Sequence, residues 1–427
     1  MKAFLLALIL GGILVAAAAF GADLETEVKN LKEEMKVLKE TIQELRRLIQ
    51  DQELIIRQLK PGEARPPGKA SPAEKALERE LEEALKERKP PAPTPAPATA
   101  TGISREFNPA ISVNGLFLGA ATTREREKKD GIERGIQVQE IEVQFTGFVD
   151  PYLKGDLIVA IEEGKEFQLE EAYVTALQLP AGFGGRVGKF FGEFGKHNAL
   201  HTHQFPFIDP PIVNRRIFGE DGLNEVGVEG SYLIPLPWFS EVKVQLLDGR
   251  NEALFDSPDR KDLAYLGHWK NLWDLTENST LEVGGSYVGG KNAFERLSQT
   301  AGADLTLKWR PLAGPGYPAL TWQTEYLFSR RETANGEEEK GGLYSLLQYR
   351  FARRWWAQGR FDYFGLPRPP NEGREWRLSG LLAFVPSEFS AVRLQYSLVD
   401  DPEIDRAVHQ LLLQLNYTFG SHPAHKY

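Results

Sequence analysis

The stretch His409-Gln-Leu-Leu-Leu-Gln-Leu-Asn-Tyr-Thr-Phe419 decides the reading of the chain. In an extended strand, successive side chains point to opposite faces. His409, Leu411, Leu413, Leu415, Tyr417 and Phe419 then share one largely apolar face, while Gln410, Leu412, Gln414, Asn416 and Thr418 share a largely polar one. A strand of about 9–11 residues that is apolar outside and polar inside is the unit of a membrane barrel. The same alternation occurs in Leu153-x-Gly155-x-Leu157-x-Val159-x-Ile161, with Lys154 and Asp156 turned the other way. It recurs in Val392-x-Leu394-x-Tyr396-x-Leu398, with Arg393, Gln395 and Ser397 opposite.

Turn chemistry spaces these strands. Asp150-Pro151, Pro180-Ala-Gly182, Pro235-Leu-Pro237, Asn278-Ser-Thr280 and Pro386-Ser387 are short breaks suited to one rim. Longer polar stretches lie between them at Glu125–Gly135, Asp248–Lys261, Arg330–Gly341 and Pro367–Arg374. Aromatic residues gather near strand ends (Trp355-Trp356, Tyr363-Phe364, Trp269, Trp309 and Trp322), as an interfacial girdle requires. Residues 105–427 are therefore expected to form an all-β transmembrane antiparallel barrel of about 16 strands, a count for which about 18 also fits. A soluble β-sandwich is the competing fold.

Upstream, the chemistry changes twice. Residues 1–21 read as a secretory signal: Lys2, an uncharged apolar run from Ala3 to Phe20, and a small-x-small cleavage site at Ala19-Phe20-Gly21. Residues 22–60 carry a heptad, with Val28, Met35, Ile42, Ile49 and Ile56 at a and Leu24, Leu31, Leu38, Leu45 and Leu59 among the d positions. Apolar a/d residues sustained at period 3.5 predict an oligomerising α-helical coiled coil. β-branched a with Leu d favours a dimer, but Leu48 and Ile55 at g widen the apolar face and point to a homotrimer. Residues 61–104 form a Pro-rich linker, extended around Pro90–Pro97, with one short helix over 72–89 opened by the capping box Ser71-Pro-Ala-Glu74.

Composition bounds the function. The 427 residues contain no Cys, which removes disulfides, thiolate metal sites and Cys nucleophiles. The net charge of −9 falls entirely beyond residue 104, which argues against a nucleic-acid partner. Of 45 aromatic residues, 43 also lie beyond it. No Gly-x-Ser-x-Gly elbow, His-Glu-x-x-His pair or phosphate-cradling loop occurs, so no enzymatic activity and no cofactor are expected.

The long connection Phe194 to Asn224 is the candidate constriction, carrying Lys196, His197, His201, His203, Asp209, Arg215 and Arg216 around Pro210-Pro211. Folded inward, it would place charge on the permeation path; packed on the rim, it would be an ordinary outer loop. Parity turns Arg360, Arg377 and Arg393 into the lumen as a basic track, balanced by Glu142, Asp156 and Glu325. The imidazoles His197, His201 and His203 offer a weaker, alternative metal reading, with no carboxylate fixed beside them by sequence.

Phe107-Asn-Pro-Ala-Ile-Ser-Val-Asn-Gly115, Val187-Gly-Lys-Phe-Phe-Gly192 followed by His201-x-His203 and Asp209, and Asn416-Tyr-Thr-Phe419 carry a family likeness. In these motifs, and in its layout of signal, coiled coil and barrel, the chain resembles the phosphate-selective porin O and P family. The resemblance implies a trimeric, sixteen-stranded diffusion channel in outer-membrane lipid. Gly420–Tyr427, following the terminal aromatic Phe419, departs from that pattern. The residues themselves point to a porin passing small solutes or ions, with an anion preference if the arginines line the path. A mechanical alternative is an envelope tether. About 37 helical residues at about 1.5 Å each would make a periplasmic rod of about 55 Å, with the linker extending it toward the cell wall.

Overall fold

The computed structural model describes residues 109–420 apart from 124–131, 133, 163–166, 312–315, 335, 370–372 and 403–406. The expected signal peptide, coiled coil and linker, together with Phe107, Asn108 and residues 421–427, lie outside the described residues.

Sixteen strands follow one another: β1 (Ala110–Thr122), β2 (Gly135–Phe148), β3 (Leu153–Ile161), β4 (Gln168–Ala176), β5 (Phe183–Phe191), β6 (Asn224–Leu233), β7 (Phe239–Leu247) and β8 (Ala264–Thr276). The second half comprises β9 (Ser279–Lys291), β10 (Leu297–Trp309), β11 (Ala319–Thr333), β12 (Gly336–Ala352), β13 (Trp355–Phe364), β14 (Glu375–Ser387), β15 (Ser390–Asp400) and β16 (Val408–Gly420). Each pairs antiparallel with its sequence neighbours, and β1 pairs with β16, closing the barrel. Closure leaves no strand edge unpaired, the condition for carrying strands through lipid. Across the seam, Asn114 donates to Asn416 Oδ1 (2.9 Å) and Thr418 Oγ1 (2.7 Å) from the buried side.

The parity read from the last strand holds. Leu411, Leu413, Leu415 and Phe419 are exposed outward, and Gln410, Leu412, Gln414, Asn416 and Thr418 are buried inward. Leu157, Val392, Leu394 and Tyr396 likewise face out, with Asp156, Arg393, Gln395 and Ser397 inside. This outer belt of exposed large apolar side chains runs around the whole barrel, far beyond the isolated patches that a water-soluble surface carries. Among the described residues, no helix is long and apolar enough to cross a membrane. Leu413 is 52% exposed near the middle of β16. We expect Leu413→Arg to cost about 2–4 kcal/mol in lipid. Refolding yield into vesicles measures this, and an unchanged yield would contradict the outward assignment.

Two local expectations are corrected. Arg330–Gly341 is not a long loop: β11 and β12 run to Thr333 and Gly336 and pair through it. Arg330 bonds Glu337, and opposite charges at Arg331↔Glu338 stand across the strands, so a polar sequence continues the ladder. Phe364 is not part of an outer girdle. It is buried in the interior apolar cluster, against which Trp356 also packs. Trp269, Trp309, Trp322 and Trp355 do face outward.

Candidate functional site

Between β5 and β6, residues 192–223 turn into the barrel. A neck holds the segment: Gly192 N–H donates to Leu223 O (2.7 Å), and Asn198 Nδ2 donates to both Gly192 O (2.8 Å) and Leu223 O (3.0 Å). Leu223 N–H returns a bond to Asn198 Oδ1 (2.8 Å), so one side chain closes both ends. Gly195, at φ +61°, then lets the chain drop against the inner wall; a Cβ there would overlap the Glu325 carboxylate, and its N–H donates to Ser286 Oγ (2.9 Å). A short helix, α1 (Ile212–Phe218), lies against β11 to β14.

Asp209 is the anchor of this segment. Its Oδ1 accepts from Arg360 Nη2 (3.0 Å) and Gln395 Nε2 (2.7 Å), and its Oδ2 from Arg377 Nη1. The backbone is bound too: Arg360 donates to Asp209 O (2.8 Å) and Arg377 to Pro210 O (2.6 Å). Asp362 completes the square, accepting from Arg360 Nε (2.8 Å), Arg377 Nε (3.1 Å) and Ile212 N–H (3.1 Å). Burial alone would raise the Asp209 carboxyl. The guanidinium groups of Arg377 and Arg360 outweigh it and hold the group well below the usual carboxylate range. Beside this anchor, Arg216 bonds Glu375 (2.8 Å) and Arg215 lies 3.7 Å from the same carboxylate. Arg393 donates to Phe205 O (2.6 Å) and Gln414 Oε1 (2.7 Å).

Apolar packing fills in around these bonds. Phe194, Phe207, Ile208, Ile212, Val213, Ile217 and Phe218 are buried in one cluster with the inward side chains Leu118, Leu266, Leu327, Tyr344, Leu346, Leu381 and Leu412. That cluster reaches wall strands on several sides, so the segment bridges the barrel rather than lining one wall. The rings of Phe194 and Phe218 meet edge-on at 5.0 Å, and Arg360 stacks over Phe207 at 4.6 Å.

The residues expected at a constriction are thus all brought inside, but they fan out around the wall instead of converging. Lys196 reaches Glu282 and Asp304, and burial pulls its ammonium down to about 8. Asp209, Arg215 and Arg216 face β13 to β15. Arg360, Arg377 and Arg393 point inward as parity required, yet each is engaged by the segment it faces. The histidine trio divides. His201 lies between Glu142 (3.2 Å), Glu170 (3.2 Å) and Glu171 (3.0 Å), and His203 lies 3.1 Å from Glu142. These carboxylates on β2 and β4 are what the sequence did not reveal, since they are about thirty to sixty residues away along the chain. Only the inward parity of Glu142 hinted at them.

His197 belongs elsewhere, which corrects the three-histidine grouping. Its ring packs against Phe205 at 4.4 Å and Tyr344 at 6.4 Å, and Nε2 is buried without a partner. Burial, reinforced by Arg360 and Arg377 against the opposing charge of Asp209, pushes its pKa down to about 3. The packed segment therefore binds fewer protons here than a released one, and this contribution to stability is lost as pH falls from 6.5 toward 3. Relative to His197→Phe, the native protein should lose up to about 1.4 kcal/mol per pH unit in that window. Denaturant melts between about pH 6.5 and 4 read the difference; parallel profiles would contradict it.

No protein-family model matches the chain. An "uncharacterized protein" of Aquifex aeolicus is 30% identical over 340 residues, spanning 69% of this chain and 71% of that one. Among solved structures, the anion-selective porin from Comamonas acidovorans superposes with a TM-score of 0.50 at 8% identity, covering 73% of this chain and 100% of its own. Pseudomonas putida OprB gives 0.50 at 10% identity over 74% and 94%. Outer-membrane expressed OmpT of Vibrio cholerae gives 0.50 at 10% over 74% and 100%. At these identities the likeness is one of fold.

Proposed function

We propose that this chain, which belongs to one family with the Aquifex aeolicus protein, is an outer-membrane channel for passive diffusion of small hydrophilic solutes or ions. The observation that carries the reading is a closed barrel with an apolar outer belt and a charged inner wall, crossed by one inward segment. The likeness of fold to the anion-selective porin from Comamonas acidovorans supports it. In this reading the β5–β6 segment sets passage, because among the described residues it is the element that crosses the lumen.

Of the arginines that motivated an anion preference, Arg360 and Arg377 are matched to Asp209 and Asp362 and Arg215 and Arg216 share Glu375, while Arg393 meets the neutral Gln414 and Phe205 O, so their field is reduced rather than cancelled. With Glu140, Glu142, Glu170 and Glu171 also on the inner side, the channel proposed here carries no phosphate or anion preference. Planar-bilayer recording of the refolded protein in a KCl gradient tests the function. Stepwise conductance with a small reversal potential supports it. A folded barrel that stays silent even after the inward segment is excised would overturn it and favour the tether.

The proposal extends to self-association through residues 22–60, with three chains per assembly. Residues Val28, Leu31, Met35, Leu38, Ile42, Leu45, Ile49 and Ile56 would form its seam. Deleting 24–60 should lower the temperature at which the trimer dissociates in detergent. Unchanged trimer stability, with the outer membrane detached from the cell wall, would mark the arm as a tether instead.

A further inference from the structure

We infer that the His–Glu cluster joining the inward segment to the barrel wall is a binding site for a divalent transition-metal ion, zinc by its ligand chemistry. The ion would sit on the Glu142 carboxylate, with Glu170 and His201 on one side of it and Glu140 and His203 on the other. Candidate donor atoms of Glu140, Glu142 and His203 lie within 4.8 Å of one another, as do those of Glu142, Glu170 and His201. Glu142 is common to both sets, which makes it the centre.

Three observations set this apart from ordinary ion pairing. The first is geometric. Glu142 Oε2 is 3.2 Å from His201 Nδ1 and 3.1 Å from His203 Nδ1, and Glu170 Oε2 is 3.2 Å from the same His201 nitrogen. Nitrogen and oxygen ligands at about 2.0–2.1 Å from a tetrahedral zinc stand about 3.3 Å apart, so each of these donor pairs already has the spacing of two ligands on one ion. His201 Nδ1 carries at most one hydrogen, which two carboxylate oxygens at equal distance have to share.

The second is charge. Glu140, Glu142, Glu170 and Glu171 surround two imidazoles, and among the described residues no lysine or arginine forms an ion pair with any of the four. A buried excess of carboxylate is relieved by a bound cation or by taking up protons. The third is an orphan. Glu140 is only 6% exposed; its Oε2 accepts from Thr202 Oγ1 (2.9 Å), while its Oε1 is buried without a partner. Mixed imidazole and carboxylate donors suit zinc better than magnesium or calcium, which take oxygen alone. Such an ion would fasten the inward segment, through His201 and His203, to β2 and β4.

The test uses the full chain in detergent with His422→Ala and His425→Ala, which silence the imidazoles of the C-terminal tail. The protein is stripped with chelator, equilibrated with Zn²⁺ or Mg²⁺, gel-filtered and assayed for metal. Glu142→Gln and the double variant His201→Gln/His203→Gln are run in parallel, each accepted as folded by its heat-modifiable migration. Retention of about one zinc per chain, no magnesium, and at least about tenfold weaker zinc binding in either folded variant is expected. Zinc-edge absorption should then show at least one imidazole. Substoichiometric zinc, or equal retention by the variants, overturns the site.

Discussion

Asp209→Ala should open the channel. The substitution leaves Arg360 and Arg377 buried with Asp362 as their one shared carboxylate and removes the ligand of Gln395. Breaking a buried ion pair on one side costs about 3–5 kcal/mol, because the stranded charges cannot reach water. Here they can, if the segment withdraws. The balance between seated and released segment should shift by about 100- to 1,000-fold toward release. Single-channel records should show long, large openings that are rare in the native protein. Asp209→Asn, which keeps the shape and one acceptor, should do less. A conductance equal to native in both variants would show that the anchor does not govern passage.

Excising residues 200–218 and joining the ends with a short Gly-Ser bridge should have the larger effect on current. The neck made by Asn198, Gly192 and Leu223 is retained, so β5 and β6 keep their pairing. The removed piece takes with it Phe207, Ile208, Ile212, Val213, Ile217 and Phe218, most of the apolar content of the lumen from this segment. A sixteen-stranded wall by itself leaves an aqueous channel, so conductance should rise several-fold and lose its flicker. The inward Leu118, Leu327, Leu346 and Leu412 would then face water, and the melting temperature should fall with the gain in current. A stable but non-conducting deletion would overturn the channel reading.

The barrel was legible because a strand's two faces report their solvents residue by residue. Leu411, Leu413 and Leu415 name the lipid side without knowledge of any neighbour, and the strand count follows from repetition. The site was legible only in part. Parity placed Arg360, Arg377 and Arg393 inside, and the density of charge in 194–224 marked the right segment. What those arginines bind was not readable, since Asp209 lies more than 150 residues from each partner that holds it and nothing local selects among the carboxylates. The histidines mislead for the same reason. His197-x-x-x-His201-x-His203 is close in sequence, but the turn Thr202–Gln204 and the neck at Asn198 send His197 toward Tyr344 and the other two toward Glu142. Arg330–Gly341 looked like a loop because polar residues usually mean one. Above the lipid, a hairpin has no apolar face to advertise it.

The seam between β1 and β16 has a consequence for how the molecule is made. Ser112 pairs with Gly420 and Asn114 with Thr418, so closure joins residues about three hundred positions apart. Long-range pairings form late, after the entropy of the intervening chain has been overcome. The anchor of the inward segment lies on β13, β14 and β15, the last strands to be synthesised before β16. The segment leaves β5 long before its receptor exists. Assembly should therefore pass through an open sheet that carries an undocked segment, with docking and closure arriving together. A chain truncated before β13 would keep early strand pairs and lose both.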